Sequence, residues 1–272
     1  MSNGSLKTRL AFIGAGQMAE ALIGGLLTAG LCEPGEVTAT DVSESRLSLM
    51  KERFGIRTAS ENREAVAWGQ VLILAVKPQV LAAVLVDVTA AWRDQLVISI
   101  AAGVPIQRMA AGLPAGARIV RVMPNAPALV GAGMSAFTVG PGVTQAEGRL
   151  ATRLLESVGR AVAVDESQMN AVTGLSGSGP AYVCVAIEAL ADGGVKMGLP
   201  RPLAEQLAVH TVLGAARMLL ETGEHPARLK DRVTSPGGTT MAGLHQLEAG
   251  GVRAALIAAV EAATKRSEEL GR

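Results

Sequence analysis

The sequence predicts two parts: an α/β domain built on a parallel sheet, residues 1–164, followed by an all-α domain, residues 165–272. Three observations predict this. Apolar runs of strand length recur through the first part. Segments of helical spacing separate them. From about Asp165 onward strand signals vanish and long helical patterns take over.

The first run is Arg9–Ile13, and Gly14-Ala-Gly16-Gln-Met-Ala19 follows it. This is G-x-G-x-x-A, a permitted form of the dinucleotide signature. Apolar residues then fall at Ala19, Leu22, Ile23, Leu26 and Leu27, one face of a helix that Gly30 can stop. Val37–Asp41 reads as a second strand ending in an acid, roughly 20 residues beyond the glycines. Strand, glycine turn, helix and acid-tipped strand together predict a Rossmann unit. Further strands are expected at Val71–Val76, Leu96–Ile100 and Ile119–Met123, with weaker ones at Met134–Val139 and Ala161–Val164. The first two are continuous apolar runs, as for strands buried on both faces. In the second part, helices are expected at Ala181–Met197, Pro202–Glu221, Thr240–Glu248 and Val252–Glu269.

Composition narrows the function. The 272 residues carry a formal charge of +1 and are 49% apolar. Lys and Arg do not cluster, and Phe, Tyr and Trp are few, which argues against nucleic-acid binding. Two cysteines, Cys32 and Cys184, rule out a disulfide framework, and both read as small buried hydrophobes. His210, His225 and His245 lack metal-ligand spacing, so no metal site is expected. Met1–Thr8 is polar, so no signal peptide is expected, and uncharged stretches are broken by Gly, Pro, Ser and Asn. A cytoplasmic protein without membrane or nucleic-acid partners is the expectation.

Two glycine-rich strings stand out in the later half: Leu175-Ser-Gly-Ser-Gly-Pro-Ala-Tyr182 and Val233-Thr-Ser-Pro-Gly-Gly-Thr-Thr240. Each precedes a helical pattern and reads as a loop feeding a helix N-terminus. Such an end offers unpaired N–H groups and a positive dipole, which suit a small anionic substrate. The loops Ala75-Val-Lys-Pro78 and Ile100-Ala-Ala-Gly103 end strands of the sheet, and Arg121–Pro127 ends a third. Ligands in doubly wound sheets bind outside those strand ends, so all three loops are expected at the cofactor crevice. Helices of small residues, such as Ala208, Thr211, Val212, Ala215 and Ala216, pack closely and predict self-association.

These strings, in this order, resemble the pyrroline-5-carboxylate reductase family. The matching segments are Phe12–Gln17, Ala75–Pro78, Ala101–Gly103, Arg121–Asn125, Ser176–Tyr182 and Thr234–Thr240. Ala189–Pro200 is similar to animal members in particular. The resemblance implies NADPH- or NADH-dependent reduction of a cyclic imine, L-1-pyrroline-5-carboxylate, to L-proline. It also implies a dimer interlocked through the helical domain, often assembled further into decamers, with active sites at the dimer interface. Carried over onto this sequence, the cofactor residues are Ile13, Gly14, Ala15, Gly16, Gln17, Met18, Asn62, Val76, Lys77, Pro78, Ala101, Ala102 and Gly103, to which the acid at the end of the second strand adds Asp41. The substrate residues are Glu166, Ser235, Gly238, Thr239 and Thr240, with the Thr240 hydroxyl as the catalytic group beside the imine nitrogen.

Three departures from the family pattern are visible. Ala126 stands in the usual Asn-Thr-Pro, position 232 is Arg, and Asp41–Arg46 replaces the common Asn-Arg-Ser. The last leaves NADPH and NADH both open. The residues taken alone also leave open another NAD(P)H-dependent imine or β-hydroxyacid reductase, or a nucleotide-sensing binding protein. The β-hydroxyacid enzymes normally need a Lys or Asp acid, which neither loop supplies.

Overall fold

A computed structural model describes residues 4–271 of the chain. Met1–Asn3 and Arg272, the outer ends of the two expected domains, lie outside the described residues.

The first helices and strands follow the sequence reading closely. Strand β1 (Leu10–Ile13) runs into α1 (Gln17–Thr28), then β2 (Val37–Thr40), α2 (Glu44–Phe54) and β3 (Arg57–Ala59). Next come α3 (Asn62–Trp68), β4 (Val71–Leu74), α4 (Pro78–Ala90), β5 (Leu96–Ser99) and α5 (Ile106–Ala111). Strand β6 (Arg118–Met123), strand β7 (Gly133–Val139), α6 (Gln145–Glu156) and β8 (Gly159–Ala163) complete the sheet region. The strand order is β3-β2-β1-β4-β5-β6-β7-β8. All neighbours pair in parallel except β6 with β7.

Alternation along β1 shows why the sheet is buried on both faces. Leu10 and Phe12 enter one apolar cluster, which contains Ile23, Leu26 and Leu155. Ala11 and Ile13 enter the other, with Leu72, Leu74, Val97 and Ile119. Burying each large side chain contributes about 1.5–3 kcal/mol, and all four β1 residues are sealed from solvent. The expected apolar face of α1 is buried at Ala19, Leu22, Ile23 and Leu26. Strand order reverses between β1 and β4, which opens a crevice at the carboxyl ends of those strands.

After β8 the chain is helical. A short α7 (Met169–Val172) continues into a wide π turn, Thr173–Gly177. Then follow α8 (Gly179–Lys196), α9 (Arg201–Thr222), α10 (Pro226–Arg232), α11 (Thr239–Ala249) and α12 (Val252–Gly271). The four expected helices are present, and α7 and α10 are additions. The Ser176-Gly-Ser-Gly179 string is not the loop that the sequence suggests. Its small side chains permit a widened helical turn, so the backbone stays helical into α8.

By compactness the chain forms two units, Met1–Gly177 with Ala262–Arg272, and Ser178–Glu261. The change from strand to helix after residue 164 is therefore not the packing boundary. Met169 is buried, and Ser267 in the last turns of α12 donates to Asn170 Oδ1 at 2.8 Å, which ties both segments to the sheet unit.

The helical unit has a poor core of its own. Its buried apolar residues are Ala191, Ala204, Ala208 and Leu229. The larger side chains Leu190, Leu203, Leu207, Leu213, Leu220 and Ile257 stand exposed. Cys184, expected to be buried, is exposed on α8, whereas Cys32 is buried as expected. No helix among the described residues is long and apolar enough to cross a membrane.

Candidate active site

The crevice has a volume of about 340 Å³. Gly16, Gln17 and Met18 line it from the turn after β1, Ala75–Pro78 from the end of β4, Ile100 and Ala102 from the end of β5, and Met123 and Pro124 from the end of β6. Four strand ends thus converge on one cleft, as the parallel order dictates.

The glycine turn is built for close approach. Gly14 has φ +101°, a conformation that favours glycine. Its N–H donates to the Thr40 carbonyl at 2.9 Å. A Cβ placed there would lie 2.5 Å from the Ala75 carbonyl oxygen. Gly14 therefore lets β1 turn between its two neighbouring strands. Gly16 differs: its φ is −69°, and a Cβ there would meet nothing within 4 Å. Gly16 is the N-cap of α1 and supplies no capping side chain. That helix start lines the crevice without a capping side chain, which fits a dinucleotide pyrophosphate.

The remaining expected cofactor residues fall in two places. Ile13, Ala15, Ala101 and Gly103 are buried around the crevice, with Gly103 packed near Leu270 of α12. Asp41 and Asn62 lie at the carboxyl end of β2. Asp41 Oδ2 accepts from the Ala15 N–H at 2.9 Å and Oδ1 accepts from the Ser43 N–H at 2.9 Å. Asn62 Oδ1 accepts from the Thr40 hydroxyl at 2.7 Å, and its Nδ2 donates to Asp87 at 3.2 Å. Lys77 is exposed at the start of α4.

Glu166 is held inside the sheet unit. Its Oε1 accepts from the Ile106 N–H at 2.7 Å and from Arg121 at 3.2 Å. Arg121 is nearly sealed from solvent on β6, so this ion pair satisfies a buried cation. It also anchors α5, which follows the Ala101–Gly103 loop. The pairing spans 45 residues and left no trace in the sequence. Asn125 donates to Ser176 at 3.3 Å and accepts from the Met134 N–H at 2.8 Å, joining two of the motif strings.

The second substrate string lies in the helical unit. Ser235-Pro-Gly-Gly238 is a tight turn closed by Gly238 N–H donating to the Ser235 carbonyl at 3.0 Å. Pro236 and then Gly237, at φ +68°, give it the type II pattern. A Cβ on Gly238 would stand 2.3 Å from Ser235 Oγ and 3.1 Å from its carbonyl oxygen, so a larger residue there would push the Ser235 hydroxyl out of its present position. Gly238 is the N-cap of α11, with Thr239 and Thr240 in its first turn and no side chain capping it. The turn thus presents two hydroxyls and the amides of a helix start together. Arg232, one of the departures, is paired with Glu224 at 2.7 Å.

Comparison with known proteins bears on the whole chain. A family model described as pyrroline-5-carboxylate reductase dimerisation matches residues 166–270. One described as NADP oxidoreductase, coenzyme F420-dependent, matches residues 9–103. The pyrroline-5-carboxylate reductase of Synechocystis sp. is 48% identical over 98% of this chain and 100% of its own length. The chain belongs to the pyrroline-5-carboxylate reductase family. The family member from Arabidopsis thaliana is 45% identical, covering 96% of this chain and 95% of that protein. Among solved structures, the family member from Coxiella burnetii superimposes with a TM-score of 0.91 at 37% identity, over 97% of this chain and 99% of that one. The Plasmodium falciparum pyrroline carboxylate reductase with NADP bound gives a TM-score of 0.91 at 32% identity, over 99% and 100% of the two chains.

Proposed function

We infer that the protein reduces L-1-pyrroline-5-carboxylate to L-proline with NADH or NADPH. The observation that carries this reading is the crevice of Gly16, Val76, Lys77, Ala102 and Pro124 in a chain of this family. The open space over Gly16 and the uncapped start of α1 suit the cofactor's pyrophosphate. When bound there, the nicotinamide would supply the hydride for the imine carbon.

The chain's own residues bind and orient. In this reading the α11 start and the Ser235 and Thr239 hydroxyls take the substrate carboxylate, and the Thr240 hydroxyl hydrogen-bonds the ring nitrogen. A protonated iminium accepts hydride readily, so the loops need no strong acid, and positioning supplies much of the rate. Glu166 is expected at the substrate. Its ties to Ile106 and Arg121 favour a positioning role, bracing the loop of Ala101–Gly103.

The reading also takes residues 1–164 as the nucleotide-binding domain and 165–272 as the dimerisation and substrate domain. The exposed leucines of the helical unit support a dimer, the state named by its family model. Assembly into decamers, a cytoplasmic location and the absence of nucleic-acid or membrane partners belong to the proposal. The deciding test is absorbance loss of NADH or NADPH on adding racemic pyrroline-5-carboxylate, with proline measured as product. Folded protein that oxidises neither cofactor under these conditions refutes the reading.

A further inference from the structure

The end of β2 carries a charge network that the sequence did not reveal. Glu20, in the first turn of α1, accepts from Arg46 at 2.6 Å and also from Arg53. Arg46 further donates from Nε to the Ala15 carbonyl at 2.8 Å. The Glu20 side chain is 16% exposed and that of Arg46 28%, so their pair is largely shielded from water. Asp41, beside them, is pinned through both oxygens by the N–H groups of Ala15 and Ser43. The Ser43 and Ser45 hydroxyls bond one another at 2.9 Å.

In dinucleotide folds the acid at this strand end meets the adenosine ribose, and a nearby Arg is what accommodates a 2′-phosphate. Here Arg46, the arginine on the first turn of α2, already serves Glu20. Glu20 is shared with Arg53, so these three side chains keep a net charge of +1, and Asp41 brings the cluster to zero. Asp41 is held by two amides and is not free to swing aside. A 2′-phosphate, carrying close to two negative charges, would face a fixed carboxylate, while the Arg46 guanidinium is already turned to Glu20 and the Ala15 carbonyl. A ribose hydroxyl would instead find an acceptor.

We propose that Glu20, by sequestering Arg46 beside a pinned Asp41, sets the cofactor preference toward NADH. The inference rests on the cofactor reading above and assigns a specificity role to a residue that does not line the nicotinamide crevice.

The test uses binding, without substrate. Dissociation constants of NADH and NADPH are measured by calorimetry at one ionic strength for the intact protein and for Glu20→Gln. The expected result is that the parent binds NADH at least fivefold more tightly than NADPH. Glu20→Gln should tighten NADPH at least fivefold and leave NADH within twofold. Adding Arg46→Gln should erase that gain. Folding of each variant is verified by circular dichroism, and Glu20→Ser replaces Glu20→Gln if the latter misfolds.

A parent that prefers NADPH overturns the proposal. So does a Glu20 variant that binds NADPH more weakly, because Glu20 would then be aiming Arg46 at the phosphate. A gain that survives Arg46→Gln overturns the role given to Arg46. If the folded parent binds neither cofactor, the cofactor site itself fails, a different outcome from an unchanged ratio.

Discussion

Replacing Gly14 and Gly16 in turn by Ala separates folding from cofactor binding within one turn of chain. At Gly14 the added Cβ meets the Ala75 carbonyl oxygen at 2.5 Å and the carbonyl carbon at 2.9 Å. Both are backbone atoms at the end of β4 and cannot rotate away. The φ of +101° adds strain for any L side chain, of about 1–2 kcal/mol. Forcing the strands apart costs roughly another 1–3 kcal/mol. Gly14→Ala should therefore lose about 2–5 kcal/mol, or roughly 5–15 °C in Tm at the scale of a domain this size.

At Gly16 the same methyl enters open space at an ordinary φ of −69°. Reduced freedom of the unfolded chain stabilises by about 0.4–1 kcal/mol. Ala is a poorer N-cap than Gly by a similar amount. Stability should thus stay within about 1 kcal/mol of the parent. The methyl would stand where the pyrophosphate approaches, so NADH affinity should fall at least about tenfold, or 1.4 kcal/mol. Thermal melts with and without NADH, together with calorimetry, read both effects. The reasoning is refuted if Gly16→Ala melts below Gly14→Ala, or if Gly16→Ala binds NADH within twofold of the parent.

Four further outcomes are expected. Thr240→Ala should lose roughly 1.5–3 kcal/mol of transition-state stabilisation, with cofactor affinity unchanged; a kcat/KM within twofold of the parent would contradict the role of its hydroxyl. Asp41→Asn should shift the kcat/KM ratio toward NADPH at constant ionic strength, and an unchanged ratio would show that Asp41 does not face the ribose. The Cys32 thiol is pushed up to about 11 by burial and by the carboxylates of Glu36 and Glu33. It should stay protonated and resist alkylation at pH 8 until the protein unfolds; stability from this group falls only as pH rises above the unfolded value, about 8.5, through 11. Reaction of native Cys32 at a free-thiol rate would refute its burial. Light scattering at assay concentration should show a dimer or larger species, and an active monomer would overturn the reading of the helical unit.

The sequence determined the elements whose pattern is local. G-x-G-x-x-A after an apolar run specified β1, the turn and α1, because glycine tolerance and apolar periodicity act over a few residues. Continuous apolar runs specified β4 and β5, since burial on both faces leaves no polar alternation. Ser235-Pro-Gly-Gly238 specified its turn through the fixed φ of proline and the freedom of glycine. Short β3 escaped notice because three residues, Arg57–Ala59, carry too little pattern. The Ser176–Gly179 string was legible as unusual but not as a π turn, since loop and widened helix ask for the same small residues.

Only the tertiary structure decided how distant charges meet. Glu20 and Arg46 are 26 residues apart, as are Ala15 and Asp41, while Arg121 and Glu166 are 45 apart. No local pattern encodes such pairs, because they depend on which strands the sheet sets side by side. Placing β1 between β2 and β4 brings the glycine turn to Asp41 on one side and Ala75 on the other. The same order sets Arg46 against Glu20, so an arginine near the strand-end acid is already paired with the protein's own carboxylate. The residue types that can bind a nucleotide are written in the chain; which of their charges remain uncommitted is settled by packing.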